Sequence, residues 1–448
     1  MSLADTGLLL RLSTMPARRV ALILFCLCVF AASVFQGMRR NNQWDYFLML
    51  SWDSLGYYLY LPAVAVNHSF ENLDTRPDND NPDTYTFRPY PGTKRVFTKY
   101  TYGVALMESP FFLTSRWLHK LRYHDEPGFY SPGYMKSIIV SGAFYLAAGL
   151  FILGLLLLRY FSLPVVILSE LIIWLGTNLL YYSSFAIGFS HVYSFFLITC
   201  ILYLTPMMYE RRSVIYVLLL AVLLGIITVI RPTNAVVAFY IFLYDVHSWV
   251  QLRVRVIYLI KKWPQLLLFP VCGFLAWMPQ FAYWHYVSGH WLLYSYEQEG
   301  FIYWKNPKIL SVLFHPQNGF FLFAPLMLLS MAGLYMILRR KQHSAPVILL
   351  IFLLTDYICG SWWYWNFGAA YGFRPYIDLL PLLVLPLAYF LSVASNWRLP
   401  VRAVGLTIIA FLLLLSLRLQ QIYSYPWQGP DWGWKDILRI HKEALFIK

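Results

Sequence analysis

Apolar positions in this chain come in long, nearly unbroken runs, not in the strict alternation of a half-buried strand or the one-sided stripe of a soluble helix. A helix needs roughly 20 consecutive apolar residues to cross a bilayer core. By run length the sequence predicts spans at roughly 18–38, 137–158, 163–181, 189–208, 213–230, 232–247, 264–286, 317–338, 345–361, 375–394 and 401–420. The stretch 213–247 divides at "RPTN", Arg231 to Asn234, because proline removes a backbone donor and clashes with the preceding turn. The expected fold class is an all-α polytopic membrane protein of about eleven transmembrane helices.

Charged residues punctuate these runs unevenly. Arg159, Arg211, Arg212, Arg253, Arg255, Lys261, Lys262, Arg339, Arg340, Lys341, Arg398 and Arg402 fall in one alternating set of short loops. Basic loops stay cytoplasmic, so the N-terminus is expected inside. The long loops 39–136, 286–316, 361–374 and the tail 421–448 are then expected outside. No internal repeat is visible, and residues 1–448 read as one module.

Composition fits this picture. The 448 residues are 59% hydrophobic and only 12% charged, against about 25% charged in soluble domains. Much of the net charge of +14 sits in short clusters between apolar runs, where it orients the chain, so nucleic acid is not expected as a partner. The 17 Trp and 35 Tyr exceed what interfacial belts require and leave aromatic residues to line a cavity. Cys26, Cys28, Cys200, Cys272 and Cys359 lie within apolar runs and suggest neither a disulfide framework nor a zinc site. The apolar run after the basic N-terminus lacks a small-residue cleavage site and is expected to be a retained first span.

One segment resists the pattern. "WDYFLMLSWDSLGYYLYLPA", Trp44 to Ala63, is greasy enough to span but carries Asp45 and Asp53. Were it a lone span, every later basic loop would move outside. It reads instead as an amphipathic helix at the outer interface, as does "YTYGVALMESPFFLTSRWL" at 100–118. Asp53, beside Tyr57, has two readings: a general base for an acceptor hydroxyl, or a cap that solubilises the helix. Asp45 lies about 80° round the same helix and shares a broad face. Lys99 either neutralises a lipid phosphate or snorkels. Arg231, with no acidic neighbour in sequence, either reaches the interface or binds an anion. His191, in "FSHVYSFF", is either a packed group or a substrate contact. "HPQNGFFLFAPL" supplies Asn318, and "WWYWNFGAAYGFRPYIDLLPLL" supplies Trp365, Asn366, Arg374 and Asp378. Tryptophan faces suit a sugar ring and amides and carboxylates its hydroxyls. The bland alternative is an aromatic belt with an Arg374–Asp378 helical ion pair. Glu170 and Asp356, inside spans, are expected to hydrogen-bond to neighbouring helices.

A first span, an outer helix bearing "WDSLGYYLYLPA", a "KYTYGVALMESPFFL" segment and long loops on one face together resemble the glycosyltransferase-C superfamily. Its members include protein O-mannosyltransferases and the lipid A aminoarabinose transferase. "HPQNGFFLFAPL" and "GAAYGFRPYIDLLPL" are similar to segments of many bacterial members. The resemblance implies transfer of a sugar from a polyprenyl-phosphate donor to a glycan, lipid or protein acceptor on the non-cytoplasmic face, in a bacterial inner membrane. It implies Asp53 as the activating carboxylate and Lys99 near the donor phosphate; Arg231 and Arg374 are chosen for the phosphate on their charge alone. Many members carry an acidic residue directly after the aspartate. Here it is Ser54, so a divalent cation is not favoured as cofactor. Two other readings remain: a lipid-linked glycan ligase or polymerase, relying on arginines and histidines, and a lipid or glycan transporter, which would need polar groups through the depth of the bundle.

Overall fold

A computed structural model describes residues 15–42, 50, 53–73, 87–368, 370–423 and 432–446. Asp45 lies outside the described residues, as does much of the Trp44–Ala63 segment before Asp53.

Six helices are long and apolar enough to cross a membrane: Pro16–Asn41, Pro132–Leu157, His191–Arg211, Trp263–Ser288, Arg374–Ala394 and Leu399–Ile422. The chain is thus an integral membrane protein. Four shorter apolar helices, Leu163–Leu175, Val214–Ile230, Pro232–Leu243 and Ala345–Ser361, complete the bundle. Three expected spans are broken where the sequence carries helix breakers. The run 163–181 ends at Gly176 and resumes as Leu179–Ser184. The run 232–247 is a 3-10 turn, Pro232–Val237, then a helix only to Leu243. The run 317–338 is helical only at Phe320–Phe323 and Met327–Arg340, because Asn318 takes a left-handed conformation and Pro325 separates the two helical pieces.

The largest apolar cluster is drawn from nearly every helix, with smaller ones beside it. Val214–Ile230 packs along Leu268–Ser288, and Pro132–Leu157 lies between Met15–Asn42 and His191–Arg211. Met327–Arg340 meets Leu380–Ala394 so closely that a Cβ on Gly333 would stand 1.9 Å from the Pro386 carbonyl oxygen. Small residues permit this backbone approach where lipid offers no hydrophobic drive to association.

The first outer loop packs on the bundle. Asp53–Tyr58 and Tyr60–Ala65 are two short helices, not one amphipathic helix lying on lipid: Tyr57, Tyr58, Leu59, Tyr60, Leu61 and Ala63 are all buried. Protein encloses the segment, which is why a hydrophobic pattern all round replaces a one-sided one. A two-stranded hairpin, Phe87–Pro89 with Val96–Thr98, comes next in the chain. After it, Gly103–Tyr123 buries Val104, Met107 and Phe112 and exposes Leu113, Trp117, Leu118 and Leu121.

Several contacts fix this loop to the bundle, two of them at Val229–Ile230. The Thr101 hydroxyl donates to the Val229 carbonyl. Gly103 lies against the same turn, where a Cβ would come within 2.6 Å of the Ile230 nitrogen. The loop at 286–316 grips from the other side, with Arg88 paired to Glu297 and Lys99 to Glu299.

Candidate active site

Segments far apart in sequence meet at one end of the bundle. Asp53 opens its short helix, and one carboxylate oxygen accepts from the Tyr100 hydroxyl at 2.6 Å. The other lies 3.2 Å from Arg374 Nη2. Arg374 begins the 3-10 turn Arg374–Leu379, and its guanidinium lies 5.3 Å from the centre of the Phe189 ring. The Arg374 Nε is buried with no hydrogen-bond partner among the described residues. Burial works against the charged form of Asp53, but Arg374, the Tyr100 hydrogen bond, Lys99 and Arg231 outweigh it and hold the carboxyl below its usual range. Asp53 is therefore a carboxylate at neutral pH. Burial, and then the Asp53 charge, push the Tyr57 phenol up to about 12, so Tyr57 stays a hydrogen-bond donor. Its ring lies 4.8 Å from that of Tyr100.

A second charged group adjoins the first. Asp378 is buried and fully engaged: His191 Nδ1 at 3.0 Å, Asn234 Nδ2 at 2.9 Å and Arg231 Nε at 3.4 Å. Arg231 reaches this place because the helix Val214–Ile230 ends there: its φ of −148° is extended, and Pro232 comes directly after it. Arg231 Nη1 also donates to Ser190 Oγ at 3.4 Å. The expected Arg374–Asp378 pair does not form. A 3-10 turn has about three residues per turn, so residues four apart diverge, and the two side chains find Asp53 and Arg231 instead.

The structure thus brings together Asp53, Tyr57, Arg231, Arg374, His191 and Asp378. Lys99 is nearby but already held by Glu299 at 2.6 Å, between the rings of Tyr100 and Tyr296. Three expected sugar contacts stand elsewhere. Asn318 donates to the carbonyls of Asn366 and Gly368, and Asn366 donates to Gln317. Those amides staple their own loop. Trp365 packs edge-on against His315.

Tyr100, Asn234 and Glu299 were missed. Tyr100 sits directly after Lys99, and Asn234 lies in the "RPTN" break, so both fall inside segments already singled out. Glu299 carries no local signal. Glu170 departs from expectation: both carboxyl oxygens are buried without a hydrogen-bond partner among the described residues. The described residues contain no group of three or more His, Cys, Asp or Glu side chains placed to hold a metal ion.

No protein-family model matches the chain, and no curated protein matches it in sequence. Among solved structures it is similar to the oligosaccharyltransferase of Archaeoglobus fulgidus in its apo form, with a TM-score of 0.48 and 13% identity. That likeness covers 94% of this chain and 56% of the other. It is also similar to the archaeal oligosaccharyltransferase AglB from Archaeoglobus fulgidus in complex with an inhibitory peptide and a dolichol-phosphate, with a TM-score of 0.47, 14% identity and the same coverage. The chain spans about half the length of these structures.

Proposed function

We propose that this protein is a membrane glycosyltransferase that moves a sugar from a polyprenyl-phosphate donor to an acceptor hydroxyl on the non-cytoplasmic face. The observation that carries the reading is the Asp53–Arg374 pair, an ionised carboxylate and a buried guanidinium at one end of an apolar bundle. Asp53 takes the proton from the acceptor hydroxyl as its oxygen attacks the anomeric carbon. The bond from that carbon to the phosphate oxygen breaks, and the phosphate leaves with the electron pair. Arg374 and Arg231 stabilise the charge that collects on it, with Lys99 at the rim. Tyr100 positions the carboxylate through its hydrogen bond.

A carboxylate held so low is a poor base, and efficiency is greatest when the base's pKa lies near the working pH. A phosphate on Arg374 removes the charge that depresses Asp53 most, so a bound donor makes Asp53 more basic. The base is strengthened only once there is something to transfer.

The test is Asp53→Asn in proteoliposomes supplied with a polyprenyl-phosphate sugar. The variant is expected to bind the donor and lose transfer by 10²-fold or more, about the contribution of one positioned base. Turnover like wild type refutes the assignment. If His191→Ala then abolishes turnover instead, the ligase or polymerase reading takes its place; His191 Nε2 is buried without a hydrogen-bond partner among the described residues.

A further inference from the structure

A cavity of about 170 Å³ lies at the opposite end of the bundle from Asp53. Tyr160, beyond the C-terminus of Pro132–Leu157, lines it, whereas Tyr134 at the start of that helix packs near Tyr58. The cavity is thus unrelated to the site above. Leu156, Pro206 and Leu385 form its apolar lining, and Tyr160, Tyr240, Tyr244, Asp245, His343 and Ser344 the rest. Sites for drug-sized ligands hold roughly 300–1,000 Å³, so this one suits a headgroup-sized moiety.

Two features indicate a built site. Asp245, His343 and Ser344 have φ values of 57°, 51° and 54°. Three lining residues in the left-handed region each cost of order 1–3 kcal/mol, strain that persists where surrounding structure enforces it and gathers at ligand sites. The Ser344 hydroxyl helps enforce it, accepting the Asp245 N–H at 2.9 Å. The second feature is chemical. Four aromatic side chains line the cavity with one carboxylate, Asp245: Tyr160 meets His343 at 4.9 Å and Tyr240 meets Tyr244 at 5.7 Å, while His247 Nε2 lies 3.0 Å from one Asp245 oxygen. Ring faces and a carboxylate together attract an ammonium group.

A lone cation is not the fitting ligand, because basic residues flank the lining residues. Exposed Arg159 precedes Tyr160, exposed Lys341 lies two residues before His343, and Arg340 stands 5.9 Å from the Tyr389 ring, which itself meets His343 at 6.2 Å. A group with an ammonium two carbons from a phosphate satisfies both halves. We propose that this cavity binds phosphoethanolamine chemistry, its ammonium among the tyrosines beside Asp245 and its phosphate on the flanking basic residues. A phospholipid headgroup and a free phosphoethanolamine both carry that chemistry.

The experiment is native mass spectrometry of the full chain, delipidated in detergent and titrated with phosphatidylethanolamine or phosphatidylglycerol. Wild type is expected to hold phosphatidylethanolamine at least fivefold more tightly, and Asp245→Asn to lose that preference. Asp245 is solvent-exposed and meets His247 Nε2 at 3.0 Å, a contact the isosteric amide can keep, so the substitution removes charge without opening the core. Tyr160→Leu, which removes one exposed ring, is expected to weaken the preference as well, with an unchanged unfolding midpoint for both variants. Displacement by free phosphoethanolamine assigns recognition to the headgroup alone; retention against it assigns the site to the lipid. Equal binding of the two lipids by wild type, or an undiminished preference in both variants, overturns the proposal.

Discussion

Two carboxylates of similar depth do different work here. Asp53 keeps an edge toward the outside, whereas Asp378 is buried and wholly occupied by His191, Asn234 and Arg231. Asp378→Ala leaves Arg231 buried without its counter-charge, which costs roughly 3–5 kcal/mol. It is expected to lower the unfolding midpoint sharply, whereas Asp53→Asn, which leaves Arg374 and Tyr100 an isosteric amide as partner, is expected to lower it less. The pH dependence separates base from scaffold further. Asp53 must be ionised to accept a proton, and Arg374 holds its pKa in the free protein below the ordinary carboxylate range. Loss of kcat/KM on acidification is therefore expected only below that range. With donor on Arg374 the pKa rises, so the acid limb of kcat is expected at higher pH than that of kcat/KM. Coincident limbs refute competition between phosphate and carboxylate for one guanidinium. Sequence sufficed to single out Asp53 and Arg374, because ionisable groups in apolar surroundings are conspicuous. Their pairing was not legible, because helical spacing points to Arg374–Asp378 and only the 3-10 geometry separates those two.

Helices here are as informative where they stop as where they run. Long uninterrupted runs such as 345–361 were legible to the residue, since nothing in Ala345–Ser361 competes with the helix. Runs carrying Gly176, Pro232 or Pro325 broke, and the first two breaks bury the polar side chains of Asn178 and Asn234. The burial of Tyr57 to Ala63 was not legible, because an apolar stretch reads alike against lipid and against protein. Close backbone contacts turn these elements into a frame. Gly103→Ala forces a methyl into the backbone at Ile230, where overpacking costs typically 1–3 kcal/mol. It is expected to lower transfer by displacing Tyr100 and Arg231 relative to one another, with the donor still bound. Gly333→Ala meets the Pro386 carbonyl far from the site and is expected to reduce stability while preserving the KM of whatever protein folds.

At the scale of the whole molecule, the basic loops and the Asp53 cluster occupy opposite ends of the bundle. Single cysteines at positions 297 and 341, in a chain otherwise free of them, are expected to react with a membrane-impermeant maleimide from opposite sides of sealed vesicles. Labelling from one side refutes the orientation. The helix Val214–Ile230 has a bearing on the bilayer itself, since its 17 residues end at Arg231. At 1.5 Å per residue it is about 26 Å long, some 4 Å short of a typical hydrocarbon core. Its outward face, with Val214, Ile215, Leu218, Leu219 and Val222 exposed, meets the acyl chains directly. A mismatch of that sign is relieved by local thinning of the bilayer. The exposed positions all lie in the first half of the helix, so the bilayer is expected to thin on the Val214 side, at the end away from Arg231.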